Sequence, residues 1–101
     1  MKIIIKESKI DMLMTEYLNS WVENTTILNY RDFILIQQKD GIDEDDWIDW
    51  MEYDFNDGRL WINNIFKKFM SDLFGKSVLD IFPIVTKWFE DKFNVKVEYS
   101  E

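Results

Sequence analysis

Residues 50–62 read Trp50-Met-Glu-Tyr-Asp-Phe-Asn-Asp-Gly-Arg-Leu-Trp-Ile62, and this run decides the fold. Asp57-Gly58 is a strong type I′ turn signal, because both central residues of that turn need positive φ and Asp and Gly tolerate it. Folding about the turn pairs Asn56 with Arg59, Phe55 with Leu60, Asp54 with Trp61 and Tyr53 with Ile62. Side chains alternate between the two faces of a strand. Met51, Tyr53, Phe55, Leu60 and Ile62 therefore share one face, while Trp50, Glu52, Asp54 and Trp61 take the other. The first face is suited to a core and the second is acidic and aromatic.

Elements on either side of this hairpin follow from periodicity. Residues 2–6 are apolar and β-branched at their centre and predict a short first strand. Ser8 and Asp11 resemble a capping box with Asp in the third position. Ile10, Leu13, Met14, Tyr17, Leu18, Trp21 and Val22 then recur at helical spacing and predict an amphipathic helix ended by Asn24-Thr25-Thr26. Phe33-Ile-Leu-Ile36 predicts a strand, and Lys39-Asp40-Gly41 a turn. After the hairpin, Ile65, Phe66, Phe69, Met70, Leu73 and Phe74 repeat at helical spacing up to Gly75, a suitable left-handed stop. Ser77 and Asp80 form a second capping box, opening a helix to Phe93 with Val85, Trp88 and Phe89 on its buried stripe. Pro83 should kink that helix or mark where its regular part begins. Asn94 ends it, and Val95, Val97 and Tyr99 alternate as a last strand.

The expected order is β-α-β-β-β-α-α-β, an α+β fold with about three helices on one face of a small antiparallel or mixed sheet. At 101 residues, with no internal repeat or linker, the chain reads as one domain spanning 1–101. It holds 17% aromatic residues, one Pro and three Gly, which predicts a folded, ring-rich core and not a low-complexity tail.

The net charge of −8 is concentrated in one stretch. Asp40, Asp43, Glu44, Asp45, Asp46, Asp49, Glu52, Asp54 and Asp57 lie within residues 40–57, which contain no Lys or Arg, while the flanking segments are nearly balanced. Trp47 and Trp50 sit inside this block. One reading is a solvated face that keeps an aromatic protein soluble. The other is a recognition surface. A localised negative field attracts a Lys/Arg-rich partner, and indoles are enriched among interface anchors. On this second reading Asp43, Glu44, Asp45, Asp46, Trp47, Asp49, Trp50, Glu52, Asp54 and Trp61 bind the partner.

Other chemistry finds little support. With neither Cys nor His, disulfides, thiolate metal sites and His-dependent catalysis are excluded. The acids offer only oxygen ligands, suited to Ca²⁺ or Mg²⁺. The EF-hand template fails, since placing Gly58 or Gly41 at its sixth position puts Tyr53 or Ile36 at its first. No Gly-rich phosphate loop, G-x-S-x-G or H-E-x-x-H is present. The expectation is a non-enzymatic protein with no cofactor and no metal. Its acidity argues against direct contact with nucleic acid or an anionic membrane. The start is too short in apolar residues for a signal peptide, and no run approaches the roughly 20 residues of a membrane span. A cytoplasmic protein is expected, with a basic protein partner and an aromatic patch open to homodimer formation.

The opening Met1-Lys-Ile-Ile-Ile-Lys-Glu-Ser8 resembles the start of small accessory proteins encoded by tailed phages. Val85-Thr-Lys-Trp-Phe-Glu-Asp-Lys-Phe-Asn-Val-Lys-Val97 has a similar character. The resemblance covers about a fifth of the chain and transfers no functional residue. It implies a phage or mobile-element product that blocks a host defence nuclease, in the manner of anti-CRISPR, anti-restriction or DNA-mimicking proteins, or one that sits in the virion. A third role, immunity against a basic toxin nuclease, shares the same physics.

Overall fold

In the computed structural model, residues 7–43 and 45–101 are described. The expected strand at 2–6 and the site residue Glu44 lie outside them. The elements are α1 (Glu7–Val22), β1 (Thr26–Asn29), β2 (Phe33–Lys39), β3 (Trp47–Asp54), β4 (Arg59–Ile62), α2 (Asn64–Phe74), α3 (Val78–Phe93) and β5 (Tyr99–Ser100). The strands form one mixed sheet in the order β1-β2-β3-β4-β5, antiparallel except for the parallel β4–β5 pair. The α+β class and the helices on one face are as expected. β1 is an additional strand, four residues between two turns, where the sequence predicts only the end of a helix.

All three helices cover the same face. Met14, Leu18 and Val22 of α1, Phe66 and Met70 of α2, and Ile81, Val85, Trp88 and Phe89 of α3 are buried in one cluster. The strands add Ile34, Ile36, Met51, Tyr53, Leu60 and Ile62. The predicted stripes of α1 and α2 are wider than this core, so one edge of both stays in solvent: Leu13 on α1, and Ile65, Phe69 and Leu73 on α2, are exposed.

The caps explain where the helices stop. Ser77 caps α3 through its hydroxyl, which accepts from the Asp80 amide at 3.3 Å. Gly75 and Asn94 close α2 and α3 in the left-handed conformation. α1 begins at Glu7, so Ser8 lies inside the helix and not at its cap. α3 runs unbroken through Pro83, which takes an exposed position.

The hairpin differs from the expected two-residue turn. Tyr53 pairs with Leu60 and Asp54 with Arg59, leaving Phe55-Asn-Asp-Gly58 as a four-residue loop. Two carboxylates drive the wider loop. The Asp54 side chain accepts from the Asn56 amide at 2.8 Å, and that of Asp57 accepts from the Arg59 amide at 3.1 Å. Such local bonds compete with a tight turn. Gly58 alone takes positive φ here, at 70°. The pairing shift is two residues, so the faces of Met51, Tyr53, Leu60 and Ile62 are kept, but Phe55 moves out of the core into the exposed loop.

The last strand is shorter than predicted because side chains take over its backbone groups. Tyr53 Oη donates to the Lys96 carbonyl at 2.6 Å, and the Val97 amide donates to the Glu90 carboxylate at 2.9 Å. Only Tyr99 and Ser100 then pair with β4.

Candidate functional site

One irregularity sets the chemistry of the sheet. Ile36 pairs with Met51 but Gln37 pairs with Asp49, so Trp50 is an extra residue in β3, a β-bulge. Asp49 and Glu52 are three positions apart and would face opposite ways in a regular strand. The bulge brings them to the same face. Asp49, Glu52 and Asp54 thereby stand opposite Gln37, Leu35 and Phe33, at alternate positions along β2.

The same bulge turns Trp50 inward, which corrects the sequence-based placement of this residue on the acidic face. Its ring packs 5.9 Å from that of Phe66, and its Nε1 donates to Gln38 Oε1 at 3.1 Å. Asn63 fastens the bulge from the β4–α2 junction. Its amide donates to the Trp50 carbonyl at 2.8 Å and its Nδ2 to the Asp49 carbonyl at 3.0 Å.

The sheet face away from the helices carries two different halves. Across the strands, Leu28, Leu35, Glu52 and Trp61 align in one row, and Phe33, Asp54, Arg59 and Tyr99 in the next. Leu28, Leu35 and Phe33 are only partly buried and are not among the side chains packed on the core. They form an apolar half over β1 and β2. Over β3 to β5 lies an acidic half, a groove of about 260 Å³ lined by Asp49, Glu52, Asp54, Arg59, Trp61 and Glu101. Gln37 Nε2 donates to Asp49 at 2.7 Å, at the seam between them.

Arg59 belongs to this acidic half. Its Nε lies 3.5 Å from the Glu101 carboxylate. The Tyr99 phenol, together with the Asp57 and Glu101 carboxylates, pushes its pKa above the ordinary value. Among the described residues, Asp49, Glu52 and Asp54 take part in no ion pair.

The remaining predicted residues lie at one end of this face. Asp43, Asp45 and Asp46 are exposed in the β2–β3 loop. The loop is closed by the Asp40 amide donating to the Asp46 carbonyl at 2.7 Å and the Asp46 amide to the Asp43 carbonyl at 3.2 Å. Gly41, at φ 122°, leaves room for the Asp46 carboxylate, which a Cβ there would meet at 2.8 Å. Ile42 projects from this acidic loop at 97% exposure. Trp47, 39% exposed, pairs across the strands with Lys39, whose Nζ sits 5.9 Å from the indole centroid. Thus nine of the ten predicted residues are described. Eight of these lie on the open face or its adjoining loop, and Trp50 does not.

Sequence reasoning missed Leu28, Leu35, Phe33, Arg59, Glu101 and Ile42. The one available signal was alternation within Phe33-Ile-Leu-Ile36, which puts Phe33 and Leu35 on the face opposite Ile34 and Ile36. Among the described residues, no group of three or more acidic side chains is placed to hold a metal ion, and no helix is long and apolar enough to cross a membrane.

These features define a class: a small α+β protein whose five-stranded sheet is covered on one side and presents an acidic, aromatic surface on the other. Compared with family models, curated proteins and solved structures, the chain matches none.

Proposed function

We propose that this is a non-enzymatic inhibitor that docks its open sheet face and β2–β3 loop on a basic groove of a nucleic-acid-binding protein. The phage context implied by the N-terminal resemblance makes a host defence nuclease the target class. The observation that carries the reading is the alignment of Asp49, Glu52 and Asp54 on a face that no helix among the described residues covers, continued by Asp43, Asp45 and Asp46. Alternate residues along a strand stand roughly 6.6 Å apart, so the three form a linear array of negative charge. Such an array speeds encounter with a cationic surface and competes with a phosphate backbone for it.

The test replaces Asp49 and Asp54 with Asn and Glu52 with Gln, and measures association with a panel of purified defence nucleases against ionic strength. The reading expects fast, salt-sensitive association, slowed at least tenfold in the variant and displaced by duplex DNA. Association that is independent of salt and unchanged in the variant overturns it.

A second reading, self-assembly as a structural subunit, draws on Ile65, Phe69 and Leu73, which line the exposed side of α2 at 70%, 48% and 52% exposure. Sedimentation separates the two. A stable high-order oligomer supports assembly, and a monomer supports the inhibitor.

A further inference from the structure

We infer that the open sheet face seats a basic amphipathic helix of the partner, laid along the strands with its apolar stripe on Leu28 and Leu35 and its cations on Glu52 and its acidic neighbours. This inference rests on the proposed acidic docking surface and specifies what occupies it. Three relationships on that face lead to it.

The first is the side-by-side arrangement of the two halves. Leu28, Leu35 and Glu52 occupy neighbouring strands in one register row. Strands lie about 4.8 Å apart, so Leu28 to Glu52 spans roughly 10 Å. An α-helix with its side chains is about 10–12 Å across, so one helix over β2 reaches both the leucines and the acids.

The second is axial spacing. Asp49, Glu52 and Asp54 stand at alternate positions opposite β2, roughly 6.6 Å apart. Lys or Arg at i, i+4 and i+8 of a helix recur about every 6.0 Å. The bulge at Trp50 is what makes the three acids collinear, and without it Asp49 would fall on the helix side.

The third is the exclusion of other occupants. An extended peptide adding a strand needs free backbone N–H and C=O groups, and those of β2 and β3 are already bonded to neighbours on both sides. A second copy placed face to face by a two-fold axis would bring acids against acids if the axis crosses the strands and acids against leucines if it follows them, and neither arrangement supplies the countercharge the carboxylates need. Nucleic acid meets the same repulsion. A cationic helix with one apolar edge is complementary to both halves.

The experiment uses the whole protein and two synthetic peptides of about 18 residues, long enough for appreciable helicity. One carries Lys at i, i+4 and i+8 with Leu along the adjacent stripe. The other has the same composition in scrambled order. Calorimetry and salt titration are run on the wild type, on Glu52→Gln, and on the double variant Leu28→Thr, Leu35→Thr, whose folding is checked by a urea melt. Threonine keeps strand propensity while removing apolar surface.

The inference expects the patterned peptide to bind at least tenfold more tightly than the scrambled one. The leucine replacements should weaken the patterned peptide about tenfold and leave the scrambled peptide unchanged. Equal binding of the two peptides, still salt-sensitive and weakened by Glu52→Gln, overturns the helix but leaves the acidic surface standing. Absence of binding by either peptide at low salt overturns both. The peptide comparison needs only the wild type, so it decides the matter even if the double variant fails to fold.

Discussion

The indole of Trp50 donates to Gln38 Oε1 at 3.1 Å from the helix side of the sheet, not from the acidic side on which alternation alone would place it. Trp50 is thus a scaffold residue that holds the bulge, with Phe66 packed beside it. Trp50→Leu removes the donor and much of the ring. Because the indole is only partly buried, the cost is expected at about 2 kcal/mol, below that of a fully buried ring. Urea melts should register this loss, while the salt dependence of partner association at Glu52 and Asp54 stays as in the wild type. A Trp50→Leu protein of unchanged stability that loses the partner would return Trp50 to the interface.

Asn63 is expected to matter through both its backbone and its side chain. Its Oδ1 accepts from the Ile65 amide at 2.8 Å as the cap of α2, while its Nδ2 reaches the Asp49 carbonyl. Asn63→Ala removes both side-chain bonds and should cost about 1–2 kcal/mol. Asn63→Asp keeps a capping acceptor but loses the donor. It should recover most of the stability and still show faster amide exchange in β3 around Asp49 and Trp50. Exchange in Asn63→Asp identical to that of the wild type would disprove the role of the Asn63 side chain in holding the bulge.

The two glycines at positive φ that border α2 and β4 separate strain from space. A Cβ on Gly75 meets nothing within 4 Å, so Gly75→Ala carries only the left-handed backbone cost of about 1–2 kcal/mol. A Cβ on Gly58 would lie 2.6 Å from Glu98 Cγ and 3.3 Å from the Glu98 amide nitrogen. That amide donates to the Gly58 carbonyl at 2.8 Å. Gly58→Ala must therefore displace the chain leading to β5 and should cost more than Gly75→Ala. For a domain of this size each kcal/mol lowers Tm by roughly 4–8 °C, so differential scanning calorimetry resolves the two. Equal melting points would mean that the Gly58–Glu98 contact contributes nothing.

How far these features could be read beforehand depended on the range of the interactions behind them. Met14, Leu18 and Val22, and likewise Val85, Trp88 and Phe89, follow from a 3.6-residue period. Ser77, Gly75 and Asn94 are caps whose chemistry is local. The hairpin faces survived an incorrect turn because the shift was even, and the turn itself was decided by the Asp54 and Asp57 carboxylates. The bulge was out of reach. It adds one residue to β3, and its supports, Gln38 and Asn63, are 12 and 13 positions from Trp50 in sequence. The acidic array shared that fate, because Asp49 joins Glu52 only through the bulge. Leu28 was missed with β1, since four residues between turns carry too short a pattern.

Tyr53 ties β3 to the C-terminal segment and makes the fold sensitive to alkali. Its hydroxyl is buried against the Lys96 carbonyl at 2.6 Å. Burial first, and then the nearby Glu98, Glu90, Asp57 and Asp54 carboxylates, raise its pKa above the ordinary 10.0. A raised folded-state pKa means that above about pH 10 the unfolded chain releases this proton more readily than the folded one. The associated stability is complete below the unfolded value and is lost as pH climbs through the folded one. Burial of the Tyr17 hydroxyl raises its pKa as well, so it acts in the same direction. Tyr53→Phe gives up the hydrogen bond, at a cost of about 1–2 kcal/mol near neutrality, but removes one of the two titrations. Its stability should therefore fall less steeply than that of the wild type over the alkaline interval above the ordinary tyrosine value of 10.0. Urea melts across that interval, with phenolate absorbance followed in parallel, measure both slopes. Parallel curves would show that the Tyr53 proton is not linked to folding.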